Sequence, residues 1–240
     1  LGKSGVEKQY DMILRGKDGR RYRKVDVHGR RIEGAEVEDE APELGKHIVL
    51  TIDEGIQDLC VKALGERIGS VIVLKPNTGE VLALASYPNF DPNIFNTDEG
   101  NKTIRELDLD PSSPYLNRAI SSGYPPASTF KIIMTTAVIE EEAFNLNGIV
   151  HCDGALQVGN RSFKCWKEYG HGSMNLASGL AQSCNVFFYT MGKDYLGVDV
   201  IVDYCRKFGL DERSGIDLPG EISGLVPSPN WKEQTQNDIW

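Results

Sequence analysis

Apolar positions recur in two rhythms from residue 47 onward. His47 to Thr51 reads as a strand. Behind Asp53, Ile56, Leu59, Cys60, Ala63 and Leu64 recur at helical spacing and predict an Asp53-capped helix to about Leu64. Gly69 to Leu74 and Val81 to Ser86 predict two strands joined by the turn residues Pro76, Asn77, Thr78 and Gly79, an antiparallel hairpin packed by that helix. Tyr87 to Pro114 is polar, rich in Pro, Asn and Asp, and predicts a long excursion with little regular structure. Pro125-Pro126 then halts the chain. A helix apolar nearly all round is predicted from Ala127 to about Glu142, a less regular cysteine-bearing segment from Ile149 to Gly172, and helices from Asn175 to Ser183, Asn185 to Lys193 and Val198 to Phe208. Few antiparallel strands among many helices make the fold class α+β.

The first forty residues differ in kind. Short alternating runs such as Tyr22 to Val27, set among Gly, Lys, Arg and Glu, predict a small β-rich lobe of hairpins, and the Glu-rich run Glu33 to Glu43 predicts a linker ended by Pro42. The basic run Arg15 to Arg31 is interrupted by Asp18 and Asp26 and reads as a solvated hairpin.

Charge narrows the function. A net charge of -9 over 240 residues lacks the cationic excess that a phosphate-binding face needs, so nucleic acid is not an expected partner. No stretch approaches the ~20 apolar residues that span a bilayer. Both ends read as cuts, so a membrane anchor preceding Leu1 would leave no trace.

The chemistry-bearing line is Gly123-Tyr-Pro-Pro-Ala-Ser-Thr-Phe-Lys131. Two prolines place Ser128 in the first turn of a helix, where free backbone N–H groups favour an oxyanion. Lys131, three residues on, shares its face. A serine hydroxyl is a weak nucleophile, but a neighbouring lysine whose pKa is lowered by burial can take its proton. The apolar run Ile132, Ile133, Met134 predicts that Lys131 is buried. About fifty-five residues later comes Ser183-Cys-Asn185, at the join of two predicted helices; its hydroxyl and amide can relay a proton and hold a carbonyl.

This pair, in this order, resembles the first two motifs of the serine penicillin-recognising enzymes. Thr51-Ile-Asp53, Pro76-Asn-Thr-Gly-Glu-Val-Leu-Ala-Leu-Ala-Ser86, Phe90-Asp-Pro-Asn93, Tyr124-Pro-Pro126 and Gly215-Ile-Asp-Leu218 are similar to class B penicillin-binding proteins, and within them to the elongation-type, penicillin-binding protein 2-like branch. The resemblance implies a transpeptidase domain of the penicillin-binding protein and serine β-lactamase type over 45–240, a helical subdomain plus an antiparallel sheet whose C-terminal strands are missing. Over 1–44 it implies the remnant of a non-catalytic pedestal. It further implies a peptidoglycan D,D-transpeptidase acting at the extracytoplasmic, periplasmic face of the bacterial inner membrane. Ser128 would be the nucleophile and Lys131 the base, with Ser183 and Asn185 assisting. Stem peptides and β-lactams would be its ligands, a glycosyltransferase and elongation-complex proteins its partners, and no cofactor would be required for the chemistry. Two departures stand out. Ala127 replaces the family's usual Gly, a change expected to be tolerated in a first helical turn. The third motif, Lys-Thr-Gly, is absent; losing the oxyanion-hole donor it supplies typically lowers a rate by ~10²-fold or more, so an inert fragment of an active parent is compatible with the text.

Five cysteines, an odd number, cannot all pair within one chain. Cys60 and Cys205 sit in helical apolar patterns and read as core fillers. Cys152, Cys165, His171 and Cys184 are enough soft and borderline ligands for a closed zinc site, with His151 and Asp153 in reserve; some elongation-type members carry a metal in this region. A Cys152 to Cys165 disulfide and buried free thiols are the alternatives. His28 and His47 read as surface or strand residues. Beside the transpeptidase stand a serine β-lactamase, which the pedestal-like segment opposes, and a non-catalytic β-lactam sensor or scaffold.

Overall fold

A computed structural model of the chain describes residues 2–30, 32, 38–96 and 100–236. Its residues gather into two compact units, 1–122 with 216–221 and 123–215 with 222–240.

In the first unit, the helix Glu54–Leu64 starts where Asp53 accepts a hydrogen bond from the Ile56 N–H, as the sequence predicts. Strands Gly69–Leu74 and Val81–Tyr87 pair antiparallel, with Ile72 opposite Leu84. Gly79, at φ +78°, closes the turn between them, its N–H reaching Lys75 O at 2.9 Å. Helix and hairpin are joined twice by Gln57, whose side chain bonds both the N–H and the carbonyl of Leu84, and around that join Cys60, Ala83 and Ala85 form a small core.

Three expectations for this unit need correction. The β-rich lobe is, among the described residues, two short helices, Gly5–Gln9 and Asp11–Leu14, isolated bridges that include Lys17 with Glu43 and Arg20 with Glu40, and one hairpin-like turn in which Asp26 N–H bonds Arg30 O and Ile32 N–H bonds Lys24 O. Too few apolar residues alternate there to bury a sheet face, and ion pairs across solvent take over. His47 to Thr51 forms no strand; Thr51 Oγ1 meets Val81 O instead. The polar excursion contains a 3₁₀ turn, Pro92–Asn96, and a helix, Gly100–Leu109, which an i,i+4 pair of Lys102 and Glu106 supports. Arg31 of the basic run and residues 33–37 of the acidic linker lie outside the described residues. His28 and His47 are exposed.

The second unit holds the larger core. The helix Phe130–Glu140 is flanked by Asn185–Thr190, which runs through a π-helical stretch, Met191–Leu196, into Gly197–Lys207. Val138, Phe187 and Met191 are completely enclosed among them, and Cys205 is buried as expected. Gly179, on the helix Leu176–Ala181, faces Phe187 so closely that a Cβ would stand 2.9 Å from its ring. The segment read as irregular has more order than its sequence suggested. Val150–Cys152 pairs with Gly172–Met174, and Ala155–Val158 with Arg161–Lys164, as two short antiparallel ladders. Their strands have only three or four residues, too few to show an alternation.

Candidate active site

The two prolines lead into a 3₁₀ turn, Ala127–Thr129, and then into the Phe130–Glu140 helix, so Ser128 stands exposed at its mouth. Ala127 adopts φ +48°, in the left-handed region where glycine is favoured. The expectation that Ala replaces Gly within an ordinary helical turn is thereby corrected: the position is one where a Cβ adds strain.

Lys131 is buried, only 8% exposed. Its Nζ lies 3.2 Å from Ser128 Oγ, 2.9 Å from Ser183 Oγ, 2.8 Å from Ser183 O and 2.7 Å from Asn185 Oδ1. Ser183 Oγ donates in turn to Ser128 Oγ at 2.9 Å, so the two hydroxyls and the amine form a closed triangle. All four site residues expected from the sequence converge on one point. Burial pushes the Lys131 ammonium below its ordinary pKa, more than the neighbouring Cys165 and Cys184 charges raise it. The Phe188 ring lies 5.8 Å from Nζ.

The Ser183-Cys-Asn185 turn has a definite local cause. After Ala181 the chain ends its helix with Ser183 at φ +51°, the Ser183 N–H on Leu180 O and the Cys184 N–H on Gly179 O. This is a Schellman ending, with a serine where glycine is usual. Cys184 then begins the next helix, its Sγ accepting from Phe187 N–H. Neither Ser183 nor Asn185 acts as an N-cap; both are left to face Lys131. Ser183 is thus a non-glycine residue held left-handed, a conformation that stores backbone strain.

A cavity of about 620 Å³ opens beside Ser128, with Lys131 and Asn185 also on its lining and apolar walls that include Met134, Phe163 and Phe188. One residue passed over in the sequence lies at this site. Trp166 Nε1 donates to both Gln182 O and Ser183 O, each at 3.1 Å, and the indole meets the His171 ring edge-on at 5.1 Å. Its only sequence signal was its position beside Cys165.

The predicted ligand set also comes together. One ligand atom from each of Cys152, Cys165, His171 and Cys184 lies within 4.8 Å of the others. His171 Nδ1 is 3.4 Å from Cys165 Sγ and 3.8 Å from Cys152 Sγ, while its Nε2 is buried with no hydrogen-bond partner among the described residues. The cysteines are unpaired, so the Cys152 to Cys165 disulfide is absent here. Burial pushes the Cys165 thiol up, but N–H groups of Lys167, Val186 and Asn185 and the Cys152 thiol outweigh it and bring it down to about 7. Burial, joined by Cys152 and Cys165, pushes Cys184 up to about 12. The reserve ligands His151 and Asp153 pair with each other at 3.1 Å, exposed and outside the cluster.

Residues 69–239 match the family model described as the penicillin-binding protein transpeptidase domain, and residues 1–50 that of the penicillin-binding protein dimerisation domain. Along its whole length the chain is 34% identical to the peptidoglycan D,D-transpeptidase MrdA of Escherichia coli and 33% identical to that of Acinetobacter baumannii. It spans 38% and 36% of those relatives' lengths. Among solved structures, all of the chain superposes on 45% of the penicillin-binding protein PBP2 of Helicobacter pylori, determined in complex with MreC, with a TM-score of 0.84 and 30% identity. It likewise superposes on 50% of Pseudomonas aeruginosa PBP2 in complex with WCK 5153, with a TM-score of 0.80 and 30% identity.

Proposed function

This chain belongs to the penicillin-binding protein transpeptidase family, and on that premise we propose that it carries the nucleophile half of a peptidoglycan D,D-transpeptidase of the elongation type. The observation that carries this reading is the triangle of Ser128 Oγ, Lys131 Nζ and Ser183 Oγ, closed by contacts of 2.9 to 3.2 Å around a buried lysine. A neutral Lys131 takes the Ser128 proton as Oγ attacks the carbonyl between the two terminal D-alanines of a stem peptide. Collapse of the tetrahedral intermediate breaks the C–N bond, and the proton passes from Lys131 through Ser183 to the departing D-alanine nitrogen. The amine of a second stem peptide then attacks the ester, yields its proton along the same path and releases Ser128. Asn185, on Lys131 through Oδ1, donates one amide N–H to Lys164 O at 3.5 Å and has the other to orient the substrate. A β-lactam would acylate the same oxygen.

The domain assignment follows the same premise: residues 1–44 as the end of the pedestal and 45–240 as the front of the catalytic domain, acting outside the cytoplasmic membrane. No helix among the described residues is long and apolar enough to cross a membrane. MreC-like elongation proteins and a glycosyltransferase are the proposed partners.

The cluster of Cys152, Cys165, His171 and Cys184 fits zinc. Three thiols and an imidazole lie within 4.8 Å of one another, a small contraction from the ~3.8 Å spacing that tetrahedral Zn–S bonds of ≈ 2.3 Å set, and His171 Nδ1 faces the thiols of Cys152 and Cys165. The ion would be structural, tying the strands of residues 150–174 to the Ser183 turn; metal analysis of the purified protein, read with thiol titration, tests it.

Intact-mass spectrometry after incubation with a β-lactam tests the catalytic reading. A single adduct that disappears in Ser128→Ala is expected. A full-length protein that remains unmodified would sink it.

A further inference from the structure

We propose that Trp166 is a positioning residue for the acyl-transfer site, its indole N–H holding the Ser183 carbonyl so that the Ser183 hydroxyl stays on Ser128 and Lys131. The inference rests on the catalytic reading above.

Ser183 O accepts from two sides, Trp166 Nε1 at 3.1 Å and Lys131 Nζ at 2.8 Å, which uses both lone pairs of that oxygen. The carbonyl belongs to a residue at φ +51°, one that most non-glycine residues leave for the right-handed region when free to do so. Rotation of that backbone would carry Ser183 Oγ away from Ser128 and Lys131, each now at 2.9 Å. The same indole N–H reaches Gln182 O, so one donor spans two adjacent carbonyls at the exposed end of the Leu176–Ala181 helix.

Solvent does not impose these bonds. Trp166 is 65% exposed, and its N–H could be satisfied by water. The indole is steadied from its other sides. Cys165 N–H holds Gly154 O at 2.7 Å, fixing the backbone immediately before it, and His171 meets the ring edge-on. Trp166 therefore links the cysteine and histidine cluster to the proton path without touching the reacting atoms.

The test separates the N–H from the ring. In the full-length protein, Trp166 is replaced by benzothienylalanine, which keeps the shape and substitutes sulfur for N–H, and in parallel by Phe. Acylation by a fluorescent penicillin is resolved into non-covalent affinity and the first-order acylation constant. Loss of one positioning hydrogen bond is expected to slow acylation about tenfold in both variants, with affinity and thermal midpoint unchanged. Trp166→Gln, which returns an N–H donor without the ring, is expected to recover part of the rate. A benzothienyl variant acylated at the parent rate would overturn the role of Trp166 while leaving the catalytic reading intact. A parent protein that is never acylated at Ser128 would overturn both.

Discussion

Lys17 and Lys131 each hold a side-chain oxygen at short range, Glu43 Oε1 at 2.8 Å and Asn185 Oδ1 at 2.7 Å, but their settings are opposite. The side chain of Lys17 is 74% exposed and that of Glu43 65%. Their pairing competes with water and salt, and such pairs contribute roughly 0–1 kcal/mol. Lys131 is buried, its ammonium is disfavoured, and four oxygens converge on it. Burial thus gives the same functional group a lowered pKa, as the proposed role of Lys131 as base requires. The two regions also differ in how they are built: the Lys17 segment is joined by isolated bridges and ion pairs, whereas the Lys131 helix lies in the chain's larger core.

The sharpest way to break this contrast is Lys131→Met, which preserves bulk and removes the amine. β-Lactam acylation, followed by intact mass over time, is expected to fall by about 10²–10⁴-fold, the range of a lost acid–base group. The pH profile carries the same information with a defined sign. The pKa of Lys131 is lowered, so the neutral amine accumulates as pH rises through a value below the ordinary lysine range, and acylation climbs over that interval. A limb centred at or above the ordinary value would contradict the role of burial.

Packing comes next. Phe187 is fully enclosed, so Phe187→Ala is expected to remove about 3–5 kcal/mol of stability, measured by urea unfolding. Ala127→Gly should act in the opposite direction, raising stability by about 1 kcal/mol because φ +48° is open to glycine. An unchanged midpoint would show that the Ala127 turn relaxes in solution. Smallest of all, Lys17→Ala is expected to shift unfolding by less than about 1 kcal/mol and leave acylation untouched. A large effect would mean that the exposed pair does more than its solvation allows.

How much was legible beforehand follows the distance over which each feature is decided. Asp53 and its helix, the hairpin turn at Gly79 and the Ser128 to Lys131 spacing depend on neighbours within a few residues, and each was readable. The short ladders of residues 150–174 were not, because three-residue strands carry no period. The helix Gly100–Leu109 was hidden by the Pro, Asn and Asp on either side of it. The strand expected at His47 to Thr51 failed for the reverse reason: a short apolar run was present, but no sheet edge took it up.

At the candidate site, sequence alone determined which groups were available: a serine and a lysine on one helical face, a second serine and an amide after a helix end, and four soft or borderline ligands. Only the tertiary structure decided that Ser183 would end its helix in the left-handed conformation, that Trp166 would hold its carbonyl, and that three cysteines and a histidine would share one space. Helical spacing is enforced by bonds between residues four apart, whereas groups 52 and 55 residues apart meet only when the core that encloses Phe187 has formed.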